Sequence, residues 1–311
     1  MNCLFFSEVM KGLGQGVTGS SITGGEDLGG LKFLPFDKRG CFVFQELWLE
    51  KNKTGMARIF ITGSADGLGQ LAAQLLVADG HEVVLHGRNN RRMQEALAGV
   101  PGAAGAVSGD LSSIRETMEI ARQVNALGSF DAVIHNAGVG YREPRRVATV
   151  DGLPQVFAVN ALAPYILTCL IHRPKRLVYL SSGLHRQGDA SLKDMDWVKR
   201  PWSGASAYSD SKLYDVILAF AVARKWADVL SNAVHPGWVA TKMGGRGAPD
   251  SMEEGPATQA WLASGDEPAA LVSGNYFYHK QVEAAHPAAG KTAVQDQFLE
   301  SCKQFSGVSL P

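Results

Sequence analysis

Short, β-rich apolar runs alternate along this chain with longer stretches whose apolar positions recur at helical spacing. The runs predict strands at about 58–62, 82–86, 104–107, 131–135, 176–181, 229–234 and 274–278. Helices are expected near 68–79, 90–98, 112–127, 152–171, 205–226 and 251–263. The fifth carries Leu213, Val216, Ile217 and Phe220 at i, i+3, i+4 and i+7, one face of a helix. Regular alternation of strand and helix calls for a parallel sheet covered on both faces, a single doubly wound α/β domain over 56–311 with about seven strands.

Residues 1–55 are different. The first 30 are rich in Gly, Ser and Thr and show no sustained period. Gly24, Gly25, Gly29 and Gly30 follow no strand, so they are not a nucleotide loop. The segment reads as an upstream extension, mostly poorly ordered. A docking segment built on Phe42, Phe44, Leu47 and Trp48 is the rival reading.

Composition narrows the partners. With 30 basic and 30 acidic residues the formal net charge is zero, which argues against nucleic acid or an anionic membrane as main partner. The 45% hydrophobic content is enough for a large core. Cys3, Cys41, Cys169 and Cys302 have neither zinc-site nor disulfide-framework spacing and fit a reduced, cytoplasmic setting. No apolar run reaches the 18 to 20 residues of a membrane span, and no metal-ligand set is seen around His185 or His235.

Two constellations carry chemistry. RIFITGSADGLG (58–69) is a strand, a glycine turn with Gly63, Gly67 and Gly69, and the start of a helix. Such a unit brings backbone close to a pyrophosphate and aims a helix N-terminus at its charge; a plain surface turn is the alternative. In SAYSDSKLYDVILAF, Tyr208 and Lys212 are four apart on a helix face, with Ser211 between them. An ammonium there is expected to lower the tyrosine pKa and make a proton donor or acceptor for carbonyl/alcohol chemistry. A second Tyr-x-x-x-Lys, Tyr276 and Lys280, follows Gly274 in a strand-like segment, where such residues stand about 13 Å apart.

Together the motifs resemble those of the short-chain dehydrogenase/reductase family, from Met56 onward, and most closely its retinol-dehydrogenase-like and WW-domain-oxidoreductase-like branch. The family's Thr-Gly-x-x-x-Gly-x-Gly stands at Thr62, Gly63, Gly67 and Gly69. Its Asn-Asn-Ala-Gly motif stands at His135, Asn136, Ala137 and Gly138, with His135 departing from the usual asparagine at a position that mostly braces the sheet. Asp110 and Leu111 match its adenine-side pair, Asn160 its mid-helix asparagine, Ser182 its catalytic serine and Pro236-Gly237 its turn after the sixth strand. The resemblance implies a Rossmann domain and an NAD(P)-dependent oxidoreductase. It implies a catalytic set of Asn160, Ser182, Tyr208 and Lys212, with Ser182 preferred over Ser181. Lys212 would also bond the nicotinamide ribose and Asn160 would anchor a proton-relaying water. It places cofactor contacts at Thr62, Gly63, Ser64, Gly67, Leu68, Gly69, Arg88, Asp110, Leu111, Asn136, Ala137, Gly138, Tyr208, Lys212, Pro236, Gly237, Val239 and Thr241.

Cofactor choice is read at the second strand, HEVVLHGRNNRR. Gly87 stands where an NAD-selective site puts an acid, and Arg88 follows, with Arg91 and Arg92 as further cations; NADP(H) is favoured over NAD(H). The substrate is expected to be a small carbonyl or alcohol, and a homo-oligomer is possible. Trp197, Trp202, Leu192 and Met195 either wall an apolar pocket or cover the core, and Trp238, Met243 and Gly244 are substrate-side candidates. Two other classes compete: an NADP-sensing regulator without turnover and a sugar-nucleotide epimerase or dehydratase.

Overall fold

The computed structural model describes residues 55–311. The expectations for residues 1–54, including docking through Phe42, Phe44, Leu47 and Trp48, lie outside the described residues. The strands are β1 (Arg58–Ile61), β2 (Glu82–Gly87), β3 (Gly105–Ser108), β4 (Ala132–His135), β5 (Arg176–Leu180), β6 (Leu230–His235), β7 (Tyr276–Tyr278) and β8 (Gln281–Glu283). They form one sheet in the order β3-β2-β1-β4-β5-β6-β7-β8. Every neighbouring pair from β3 to β7 is parallel; β8 alone runs antiparallel, on β7.

The helices are α1 (Gly67–Ala78), α2 (Asn90–Gly99), α3 (Ile114–Ala126), α4 (155–170), α5 (Gly204–Lys225), α6 (Glu254–Ser264) and α7 (Thr292–Ser306). Side-chain alternation along the strands sorts the core by sheet face. Phe60, Val84, Val133 and Leu177 point into one cluster with Ile120, Phe157, Leu213 and Phe298, from α3, α4, α5 and α7. Ile59, Ile61, Val83, Leu85 and Ile134 point the other way, to Leu76, Ala96 and Leu262 from α1, α2 and α6. The expected doubly wound architecture is therefore the one found, its seven parallel strands within a residue or two of their places.

Two elements were not anticipated. The β7–β8 hairpin turns through His279 and Lys280, both at positive φ (46° and 62°). Its turn holds neither Gly nor Asn, so the usual hairpin signal is missing. Helix α7 is periodic (Phe298, Leu299 and Cys302 are buried), and it packs on α5. That contact leaves α5 buried on nearly every side, as a helix apolar around most of its circumference requires.

Candidate active site

At the carboxyl end of β1, the Thr62 hydroxyl accepts hydrogen bonds from the backbone N–H groups of Asn136 and Ala137, both at 3.0 Å. Asn136 returns its side-chain amide to the carbonyls of Thr62 (3.0 Å) and Gly63 (3.1 Å). The glycine turn is thus bolted to the end of β4. Gly69 is needed for that closeness, since a Cβ there would lie 2.3 Å from Asn136 Nδ2 and 2.6 Å from the Gly63 carbonyl. Gly63 sits at φ +63° against Ala137. Ser64 is fully buried and knits the turn to β2, donating to the Ile61 carbonyl and accepting from His86 N–H. Helix α1 starts without a side-chain cap, which leaves its first N–H groups free for an anion. Asp66, just before it, pairs with Arg92 (2.7 Å) and Lys242 (2.7 Å). Partial burial works to raise the Asp66 pKa, yet the two cations outweigh it and hold the carboxyl below its usual range.

His86 is a member of this site that sequence reading passed over. Its Nδ1 accepts from Gly63 N–H at 3.0 Å and its Nε2 lies 2.9 Å from the Gly109 carbonyl. Since a carbonyl only accepts, the ring is the neutral Nε2–H tautomer, and burial pushes its pKa down to about 4. The imidazole spans the phosphate turn and the end of β3, next to Asp110. Its signal was its place: the last residue but one of β2, pointing inward.

Further along, a Cβ on Gly87 would meet the backbone of Arg92 and Met93 at 2.6 and 2.3 Å, so an acid does not fit there. Arg91 is paired with Glu95, and Arg92 with Asp66 and Glu95. Arg88 is exposed and has no ion-pair partner among the described residues. Arg91 and Arg92, the further cations of this segment, are each paired with carboxylates. Asp110 caps the approach to α3 through Ser112 N–H, while Leu111 is 5% exposed and faces the core.

The catalytic candidates converge where α4 and α5 meet the ends of β4 and β5. Helix α4 is α-helical at Gln155–Phe157 and Ala163–Leu170 and widens into a π-turn at Ala158–Leu162. That bulge carries Asn160 to the end of β4, where its amide accepts from Val139 N–H (2.8 Å) and donates to the Val139 carbonyl (3.1 Å) and Ser211 Oγ (3.0 Å). The side chain is therefore a brace between two elements. Asn160 Oδ1 and Lys212 Nζ lie 3.6 and 3.7 Å from the point where a Cβ on Gly138 would stand, so the three residues surround one spot.

Tyr208 is buried under Tyr141, ring centroids 5.7 Å apart. Ser182, half-buried just past β5, is near enough to the phenol to favour its ionised form, and its hydroxyl accepts from Leu184 N–H at 3.2 Å. Ser181, by contrast, is buried and donates to the Lys212 carbonyl at 2.7 Å, holding α5 to β5. Lys212 Nζ stands 5.9 Å from the Tyr208 ring centroid and donates to the Leu180 carbonyl (2.6 Å) and to Asp215 Oδ2 (2.8 Å). The expected lowering of the Tyr208 pKa is reversed. Burial pushes it up, and Asp215 and Tyr141 add to that, outweighing the pull of Lys212 and Ser182. The phenol is thus held protonated, the form a proton donor needs.

Around this centre, Trp197 and Trp202 (5.4 Å apart) cluster with Tyr208, whereas Leu192 and Met195 join the main core. Arg200 stacks on Trp197 at 3.6 Å and ties Asp189, Asp194 and the buried Asp210 of α5 together. His185 Nδ1–H donates to the Ser182 carbonyl at 2.7 Å, and its Nε2 accepts from His286 N–H at 3.1 Å. The loop after β6 turns at Gly237 (φ +90°), pairs Val239 with Asp250, and lays Met243 over Gly140. Thr241 accepts from Gly244 N–H, and Trp238 is half exposed. The second tyrosine–lysine pair is split: Lys280 lies in the hairpin turn over Trp261, and the buried Tyr276 hydroxyl has no partner among the described residues. No helix among the described residues is long and apolar enough to cross a membrane.

The glycine turn thus stands beside a buried Tyr208 and Lys212 and a half-buried Ser182. A family model described as short chain dehydrogenase matches residues 57–184. An uncharacterized oxidoreductase of Emericella nidulans is 46% identical over 260 residues, 82% of this chain and 99% of that protein. Human retinol dehydrogenase 13 is 30% identical over 200 residues, 60% of each. Among solved structures, an uncharacterized protein from Mycobacterium paratuberculosis superposes with a TM-score of 0.71 at 24% identity, covering 82% of this chain and 95% of that one. A blue fluorescent protein from a metagenomic library, in complex with NADPH, gives 0.58 at 22% identity, covering 71% and 95%. The chain belongs to the short-chain dehydrogenase family and is an oxidoreductase by class, with retinol-dehydrogenase-like relatives.

Proposed function

We propose that this chain is an NADP(H)-dependent oxidoreductase that interconverts a carbonyl and an alcohol, with Tyr208 as general acid/base. The observation that carries the reading is the buried Tyr208 with Lys212 Nζ 5.9 Å from its ring, beside the glycine turn at the carboxyl ends of the strands. The open N-terminus of α1 and the turn at Gly63 and Gly67 fit a dinucleotide's diphosphate. When bound, the nicotinamide cofactor supplies or takes the hydride.

In reduction, Ser182 steadies the substrate oxygen and Tyr208 Oη gives it a proton; in oxidation Tyr208 takes that proton back. Asn160 ties the end of β4 to the α5 face, and Lys212 ties α5 to the end of β5. Trp197 and Trp202, packed in one apolar cluster with Tyr208, shield the reacting end. Arg88 supports the choice of NADP(H): it is the exposed cation left unpaired, next to a glycine that leaves no room for a carboxylate.

The test is to titrate NADPH and NADH into the wild type and Arg88→Ala, then follow NADPH absorbance over a panel of carbonyls. A hydrogen bond to a charged group contributes about 1.5–3 kcal/mol. Arg88→Ala should therefore weaken NADPH binding about 10- to 150-fold and leave NADH little changed. Equal affinities for both cofactors, indifferent to Arg88, would contradict the assignment.

A further inference from the structure

Asp215 lies one helical turn after Lys212 on α5, and the two side chains are 2% and 5% exposed. A buried carboxylate is costly unless paired, and an apolar residue of similar size would fill the position without that cost. Here the carboxylate takes one N–H of the Lys212 ammonium at 2.8 Å while the Leu180 carbonyl takes another at 2.6 Å. The ammonium is thereby drawn toward the β5 end, with Nζ 5.9 Å from the Tyr208 ring centroid. The negative charge also opposes ionisation of the Tyr208 phenol, against the pull of Lys212.

We propose that Asp215 is a positioning residue for this reaction: it anchors the Lys212 ammonium on the β5 end, weakens its hold on Tyr208, and biases the site toward proton donation to a carbonyl. The inference rests on the proposed oxidoreductase reading and adds a fifth residue to its set. Burial pushes the Asp215 carboxyl up to about 7, so it is ionised throughout the alkaline range in which a raised tyrosine titrates.

Other titratable groups face this pair. Tyr141 packs on Tyr208 from the loop after β4, and Tyr276 reaches it from β7. Tyr179 on β5 feels Asp215, and His135 stacks on Tyr179. Burial pushes Tyr179 and Tyr276 well up, and drives His135 down to about 3. None of these three should titrate between neutrality and the Tyr208 limb.

The experiment is the pH profile of kcat/KM for NADPH-dependent carbonyl reduction, in the wild type and in Asp215→Asn. Reduction needs the protonated phenol, so its rate is lost as pH rises through the Tyr208 pKa. Removing the neighbouring negative charge makes the phenolate easier to form, and the limb should move down by about one pH unit. In the oxidation direction the rising limb should move down with it. Asp215→Glu, which keeps the charge, should leave the limb where the wild type has it. Asp215→Ser, with room for a water beside Lys212, is the second neutral variant and should shift the limb with the same sign. A merely structural carboxylate would lower the rate and leave the limb in place, which would overturn the inference. A wild type without turnover or without an alkaline limb would instead overturn the parent reading.

Discussion

The cofactor end and the substrate end of this sheet are built in different ways. At the first, polar side chains clamp backbone: Thr62, Asn136, Ser64 and His86 stitch the glycine turn to β2, β3 and β4 with hydrogen bonds to main-chain groups. At the second, side chains do the building, with Arg200 among three aspartates, Trp197 on Trp202, and His185 between Ser182 and His286. A backbone cradle tolerates almost no added atom, whereas a side-chain wall can be repacked. The cofactor end should therefore be brittle and common to relatives in its chemistry, and the substrate end the place where this chain sets its own specificity.

Acid should break both ends together, and this is the largest expected effect. His86 and His185 are buried neutral with pKa values pushed down to about 4, and His135 to about 3. Unfolding frees them to bind protons near pH 6.5, so their contribution is intact above that value and is lost as pH falls toward 4. The expected slope is about 1.4 kcal/mol per pH unit for each histidine. Urea midpoints measured from pH 7 to 5 should show it, and His86→Gln, which keeps both hydrogen-bonding ends, should remove about a third of the slope. A stability flat over that range would mean that these rings are not buried as described.

Brittleness is tested next by Gly69→Ala. Its methyl collides with Asn136 and the Gly63 carbonyl, so stability should drop by about 1–3 kcal/mol and NADPH binding should weaken with it. His86→Leu orphans the Gly63 N–H and the Gly109 carbonyl, at about 1–3 kcal/mol for each group left unpaired. On the other side, Trp202→Ala loses the contact with Trp197 and the bond to the Glu143 carbonyl. It should raise substrate KM while cofactor affinity stays put and stability falls by only about 0.5–1.5 kcal/mol beyond the lost burial. If cofactor affinity fell as much as substrate affinity, the division between the two ends would be wrong. Smallest of all should be deletion of residues 1–55, expected to leave activity and melting temperature unchanged; insoluble expression would favour the docking role of Phe42, Phe44 and Trp48.

The same contrast explains what could be read from the sequence. Gly63, Gly67 and Gly69 announce themselves because few residues satisfy a positive φ or a Cβ-free approach, while Thr62 and Asn136 were legible through the family motif at strand ends. Tyr208 and Lys212 were found by spacing, and Ser182 only through the family resemblance. His86 and Asp215 were not, because one inward-facing histidine or one helical aspartate carries no spacing rule; only the partners that folding supplies reveal them. The direction of the Tyr208 shift was misjudged for a related reason. Spacing shows that a lysine is near, but not how deeply the phenol is buried or that Asp215 competes for the ammonium. The β7–β8 hairpin escaped because its turn holds His279 and Lys280 at positive φ with no glycine.

Proton transfer by Tyr208 is the centre of the account, and Tyr208→Phe removes the transferable proton and little else. With a carbonyl that the wild type reduces, NADPH consumption and NADPH binding should be measured side by side in both proteins. Turnover is predicted to fall about 10²- to 10⁴-fold while the cofactor Kd is unchanged. A phenylalanine variant that reduces the same carbonyl at the wild-type rate would contradict the assignment of Tyr208.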